Sequence, residues 1–334
     1  MKYLIIDDEH ELYKRMFADL FYQNKYSIEE IPRVKVPKIL KPIYRLHFNE
    51  RVNSHLILPF KEVWAQFYEL YHYRFDSNEE YVVIFLNGSL RFHFDRNHLK
   101  EFKQTHRNVK LVMIMYDSYI NPAAQRAISF IPLFDTVFSF DELDCKMHGF
   151  EHIYSTFSYP NFVKEDGSKH SNAFFIGFGA GRLEMLRTAF QKITQKVDNC
   201  KFYIAGVKKE DIIDIKDVVY NQTMSYDEEL QMAYNTDCIV EIVKEGQTGI
   251  SLRTCEAIAF NKKLLTNNVK LKEMPFYNQK YMSVFEKVED IDINFIQDKI
   301  NVTYEDTQCF SPLKIIEKLE RIYSECPCTV NAKT

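Results

Sequence analysis

Short apolar runs rich in β-branched and aromatic residues alternate with stretches of helical period along this chain, and they do so twice, on either side of one polar gap. Strand–helix alternation feeds parallel sheets, because neighbouring parallel strands need a crossover long enough to hold a helix. Strand candidates in the first half are Tyr3–Ile6, Tyr81–Leu86, Val109–Met115 and Thr136–Phe140; in the second they are Ala173–Phe178, Lys201–Ala205, Cys238–Ile242 and Lys263–Thr266. Between the first two, Phe60, Val63, Trp64, Phe67, Leu70 and Tyr71 recur at helical spacing and predict a long amphipathic helix. Leu183, Leu186, Phe190, Ile193 and Val197 make a second such face, and Ser225-Tyr-Asp-Glu228 fits a capping box opening a third helix.

The gap, Tyr159–Asn172, holds Pro160, Gly167 and a run of charged and polar residues, the composition of an interdomain linker. Two domains also suit 334 residues, since single cores stop growing at roughly 250–300. The expected division is 1–158 as an N-terminal domain, 159–172 as linker, 173–310 as a second domain, and 311–334 as a terminal helix (Ser311–Tyr323) with a frayed tail.

Charge and cysteine usage narrow the class. A net charge of -4 gives no support to a nucleic-acid binder. The cysteines are scattered and odd in number, and only Cys326 and Cys328 are close, with no second pair to complete a zinc site; reduced thiols in a cytoplasmic protein are expected. The opening Met1–Asp8 lacks the apolar length of a signal peptide, and no apolar run approaches the ~20 residues of a membrane span.

Three stretches can carry chemistry. Ile5-Ile6-Asp7-Asp8-Glu9-His10 ends the first strand in an acidic turn. It lacks the later strand-end Asp of a phosphoreceiver and reads either as a solvated turn or as lining of a binding crevice, which lies beyond the carboxyl ends of parallel strands. Phe174-Phe-Ile-Gly177-Phe-Gly179-Ala-Gly181-Arg182 runs a strand through three glycines into a helix. Glycines admit a phosphate close to the backbone, the helix start presents free amides, and Arg182 can add a charge-assisted contact. The same glycines also serve a tight turn with no ligand. The third stretch runs from Glu241 to Asn268. A strand ends near Val243, Gly246 and Gly249 loosen a turn, a helix of about three turns carries Glu256, Asn261 suits a left-handed stop, and a strand ends at Thr266. Its first helical amides can face a diphosphate while Glu256 reaches ribose hydroxyls; alternatively Glu256 merely pairs on a surface helix.

This third stretch resembles the nucleotide-sugar signature of GT-B glycosyltransferases. It is similar above all to bacterial capsular and lipopolysaccharide transferases, in which a G-Q-T-G-x-x-x-R-x-x-E-A run precedes a K-K-L-x-T-x-N strand. Val137-Phe-Ser-Phe-Asp141 and Phe175–Leu183 resemble the same group, in the same order. The resemblance implies an α/β fold of two Rossmann-like domains facing a central cleft, with the sugar nucleotide on the second domain. It assigns Gly177, Gly179, Gly181, Arg182, Gln247, Thr248, Gly249, Ser251, Arg253 and Glu256 to the donor. The common retaining pattern has a first Glu where Thr248 stands, so retention or inversion is open. In an inverting variant a carboxylate or His of the first domain deprotonates the acceptor hydroxyl, and Asp8, His10 and Asp117 qualify because each follows an apolar strand.

Such enzymes stabilise the leaving diphosphate with helix dipoles and basic side chains, so neither metal nor cofactor is expected, and Asp290-Ile-Asp292 reads as a solvated acidic loop. The implied function is transfer of a sugar from a nucleotide-sugar donor to a glycan or lipid-linked acceptor in bacterial surface polysaccharide synthesis. The alternative is a non-catalytic sugar- or nucleotide-binding protein on the same fold. Arg33, Lys35, Lys38, Lys41 and Arg45, interleaved with apolar residues, add an expected peripheral contact with an anionic membrane, on its inner face.

Overall fold

The computed structural model describes all residues except 8–10, 50–51, 53–57, 91–93, 95, 117–118, 120–124, 245–248 and 325–334. The chain forms two compact units, Met1–Tyr154 and Ser155–Thr334. The division precedes the expected 159–172 linker, and that segment belongs to the second unit. The Lys164 amide and carbonyl bond to Gln231, and the Asp166 amide donates to Asn235 Oδ1 (2.7 Å). Polarity there reflects hydrogen bonding to a helix rather than a free connection.

In the first unit β1 (Lys2–Ile6), β2 (Ser27–Ile31), β3 (Tyr81–Leu86), β4 (Val109–Met115), β5 (Thr136–Ser139) and β6 (Glu151–His152) form one parallel sheet in the order β2-β1-β3-β4-β5-β6. Every residue of β3 is buried, as expected of a parallel strand covered on both faces. The predicted helix across Phe60–Tyr71 is instead two 3-10 segments, Lys61–Phe67 and Glu69–His72, broken where Tyr68 is extended. Packing decides this: Trp64 and Leu70 are buried, whereas Phe60 and Val63 point outward, so the apolar set does not share one face.

Trp64 supports helix α1 (Lys41–His47), donating from Nε1 to His47 Nδ1 (2.8 Å) beneath the Tyr44 and Phe48 rings. Of the basic run, Arg33 is buried and Lys35 pairs with Glu69 (2.6 Å), so neither adds to a cationic surface.

The second unit carries β7 (Ser171–Phe178), β8 (Cys200–Ala205), β9 (Val218–Tyr220), β10 (Thr236–Glu241), β11 (Lys263–Thr266) and β12 (Met282–Val284), again all parallel, in the order β12-β11-β10-β7-β8-β9. The helices that matter for its site are α2 (Leu183–Thr194), α3 (Tyr226–Tyr234) and α4 (Leu252–Ala259). Leu186, Phe190, Ile193 and Val197 are buried as their spacing predicts, and the Ser225–Glu228 capping box is formed. The terminal helix α5 (Leu313–Ser324) buries Ile315, Ile316 and Leu319.

Candidate functional site

The second unit lays β7, β8 and β9 to one side, then returns to place β10, β11 and β12 on the other. Connections therefore leave the neighbours β7 and β10 in opposite directions. That reversal opens a crevice outside their carboxyl ends, the usual ligand position in open parallel sheets. Two sequence-predicted stretches arrive there: Gly177–Arg182 at and beyond the end of β7 and, among the described residues after β10, residues 242–244 and 249–251.

The first loop is tight. A Cβ on Gly179 would lie 3.0 Å from Ile204 Cγ2, and Gly181 has φ +78°, a left-handed conformation that side chains disfavour. The Gly179 amide is already given to the Ala205 carbonyl (2.8 Å). Arg182 donates from Nε to the Phe178 carbonyl (2.8 Å) and from Nη1 to the Ile242 carbonyl, which fastens the β7 loop to the end of β10. Burial pulls its pKa below the usual guanidinium value, against the favourable field of Glu241. The guanidinium thus ties the two loops together, a role that its predicted phosphate contact did not include.

The second loop centres on a residue to which sequence reasoning gave no role. Glu241, last in β10 and buried, accepts from the hydroxyls of Ser251 and Thr254 (2.8 Å for Thr254) on Oε1 and of Thr266 on Oε2. Ser251 also caps α4, accepting from the Arg253 amide (3.0 Å). Asn267 exchanges hydrogen bonds with both backbone groups of Val243, and Asn268 Nδ2 donates to the Gly249 carbonyl (3.3 Å). The available signal was an acid closing the apolar run of Cys238, Ile239 and Val240, set beside a Thr at the end of the next strand.

Glu256 differs from expectation. It is 0% exposed, not solvent-facing, because α4 is short, about two turns, and buried from Thr254 to Ala259 between the sheet and α3. Its Oε2 lies 2.9 Å from Arg253 Nη1, while Arg253 Nη2 lies 3.5 Å from Glu229. The 2.9 Å approach lacks hydrogen-bond alignment, and neither Glu256 oxygen makes an aligned hydrogen bond among the described residues; the buried Tyr226 hydroxyl, also without an aligned bond, stands close enough to favour the charged carboxylate. Burial pushes the Glu256 carboxyl up to about 7 against the opposing pull of Arg253. A buried acceptor pair with unfilled capacity is costly unless it takes a proton or a ligand.

The remaining predicted residues are placed as follows. Asp8, His10, Asp117, Gln247 and Thr248 lie outside the described residues. Asp292 caps a short helix, accepting from the Asn294 and Phe295 amides, and Asp290 accepts from the Lys287 amide. No group of three or more His, Cys, Asp or Glu suited to a metal occurs among the described residues. A polar pocket of about 450 Å³ lies at the opposite, amino ends of β10 and β11. Its charges are largely settled internally: Asp237 pairs with His170 and Lys299, and Lys263 gives its ammonium to three carbonyls.

No protein-family profile and no curated protein sequence matches this chain. Solved structures do. Sucrose-phosphate synthase from Thermosynechococcus elongatus is similar at TM-score 0.58 and 11% identity, over 97% of this chain and 99% of that one. The S. aureus MnaA–UDP co-structure is similar at 0.52 and 11%, over 98% of each chain. A Listeria monocytogenes protein described as a UDP-N-acetylglucosamine 2-epimerase is similar at 0.51 and 9%, over 98% and 97%. No described helix is long and apolar enough to cross a membrane. Two six-stranded parallel sheets, each with its own helices, and these full-length likenesses give the chain a GT-B-type fold of two Rossmann-like domains.

Proposed function

We propose that this chain is a glycosyltransferase that moves a sugar from a nucleotide-sugar donor to a glycan or lipid-linked acceptor, in bacterial surface polysaccharide synthesis. The observation that carries the reading is the fastening of the Gly-bearing β7 loop to the end of β10 by Arg182, at the reversal of strand order. Helices α2 and α4 begin beyond these strand ends, and their positive dipole ends stabilise a leaving diphosphate without a metal. Gly177, Gly179, Gly181 and Arg182 form the phosphate side of the donor site; Gln247, Thr248, Gly249, Ser251 and Arg253 form the other. Glu256, with unfilled hydrogen-bonding capacity, meets the ribose hydroxyls once the donor is bound. The first domain (1–158 in the sequence reading) holds the acceptor. Asp8 or His10, following β1, or Asp117, following β4, removes its proton in an inverting reaction. Support from known proteins is a shared fold with one structure captured with UDP and another described as acting on a UDP-sugar.

Thermal-shift screening across nucleotides and sugar nucleotides tests the donor site, because a ligand stabilises by RT ln(1 + [L]/Kd). Slow hydrolysis of the stabilising sugar nucleotide without acceptor is the result expected of a transferase. Stabilisation without hydrolysis, or with epimerisation of the sugar, replaces the reading with a binding protein or an epimerase. No response to any nucleotide overturns it.

A further inference from the structure

Helix α1 carries apolar side chains on its outward side as well as on the side that faces the core. Its inward side is complete: Tyr44 and Phe48 pack on Trp64, and His47 accepts a hydrogen bond from the indole N–H and approaches the Pro59 carbonyl at 2.6 Å. Its outward side is apolar. Ile43 is 58% and Leu46 60% exposed, one helical step apart, and Ile39, one turn earlier, is 84% exposed. Phe60 lies between Pro59 and Lys61, which both bond His47 at the end of the helix; it is 69% exposed and held at φ 61°, a conformation rare for an aromatic residue. Lys38, Lys41 and Arg45 are exposed among these residues, and none has a carboxylate partner among the described residues, unlike Lys35. Glu62 is the one acid of the adjoining Lys61–Phe67 turn. An apolar patch of this kind, interleaved with unpaired cations, has the chemistry of an interfacial anchor: side chains enter the acyl boundary while long basic residues reach the headgroups.

We propose that the face formed by Ile39, Ile43, Leu46 and Phe60, with Lys38, Lys41 and Arg45, seats the first unit on an anionic lipid bilayer. Charge complementarity selects this occupant: a protein partner or second copy has no need of three uncompensated cations around the same four apolar residues. The proposal stands apart from the donor site, since every residue in it belongs to the first unit.

The test is co-sedimentation of the full chain with phosphatidylcholine vesicles, with and without phosphatidylglycerol. Binding is expected only with phosphatidylglycerol and should fall as salt rises. Each cation near such a surface contributes about fivefold, so Lys38→Gln/Lys41→Gln/Arg45→Gln should lower partitioning by about a hundredfold. Ile43→Ser/Leu46→Ser should release the protein even at low salt, which a purely electrostatic contact would not show. Emission from Trp64, the single tryptophan, reports whether the helix stays packed in these variants. Equal recovery on both vesicles, no recovery, or an unchanged Ile43→Ser/Leu46→Ser variant overturns the proposal. So does a concentration-dependent dimer that this variant abolishes, which would give the face to a second copy.

Discussion

Glu241 and Thr266 stand opposite each other in register at the ends of the parallel strands β10 and β11, and the threonine hydroxyl donates to the Glu241 carboxylate. Ser251 and Thr254 occupy the other carboxylate oxygen, so one buried side chain joins two strands to the start of α4. Glu241→Ala leaves these hydroxyls buried without their acceptor and should cost roughly 3–5 kcal/mol of stability in urea unfolding. Thr266→Val should cost about 1–2 kcal/mol. A double-mutant cycle between the two positions should show coupling of about 1 kcal/mol or more; additive losses would mean that the pair does not act as a unit.

Glu256 makes stability depend on pH in a defined direction. Its folded pKa, about 7, lies above the unfolded value of about 4.5, so the folded state holds more protons between these limits. Its contribution is therefore fully present below about pH 4.5 and is lost as pH rises toward about 7, up to about 3 kcal/mol across that window. In Glu256→Gln this part of the slope should vanish. Denaturation midpoints of both proteins across that range check it, and parallel profiles would rule out titration of Glu256.

The same substitution tests the donor. If Glu256 meets the ribose, Glu256→Gln should weaken nucleotide and sugar-nucleotide binding together, by about ten- to a hundredfold in calorimetric titration. Unchanged affinity in a folded variant would confine Glu256 to its ion pair with Arg253.

Arg182→Ala should destabilise the second unit by about 1.5–3 kcal/mol, because two carbonyls lose a charged donor. With the phosphate role it should also weaken diphosphates far more than nucleosides. Equal loss for both ligands would leave only the loop tie.

Turnover should persist in excess chelator. Asp292→Ala should cost about 1 kcal/mol through the lost helix cap and leave activity intact. Complete loss in chelator, restored by manganese or magnesium, would promote the Asp290–Asp292 pair to a metal role.

Residue order alone determined the interior of both sheets. Tyr81–Leu86 and Val109–Met115 end where their apolar runs end, because a central parallel strand is covered on both faces and is largely apolar. The strands that sequence reading missed are the four sheet edges, β2, β6, β9 and β12. An edge strand such as Ser27-Ile-Glu-Glu-Ile31 is held by its neighbour's hydrogen bonds, so its side chains need not be apolar and leave no run to read. The local devices were equally legible: the Ser225 cap, the left-handed Asn261 (φ 53°) and the Gly181 turn depend on a few adjacent residues.

What needed tertiary structure was the environment of each chemical group. The spacing of Phe60–Tyr71 satisfies a helix, yet packing around Trp64 splits it into two 3-10 turns. Glu256 has the sequence context of an exposed helical carboxylate; only the placement of α4 between the sheet and α3 buries it beside Arg253. Glu241 carried no functional signal in its own neighbourhood. Its partners Ser251, Thr254 and Thr266 are brought to it by strand pairing and by the return of the chain into α4, which are long-range contacts that no local pattern encodes.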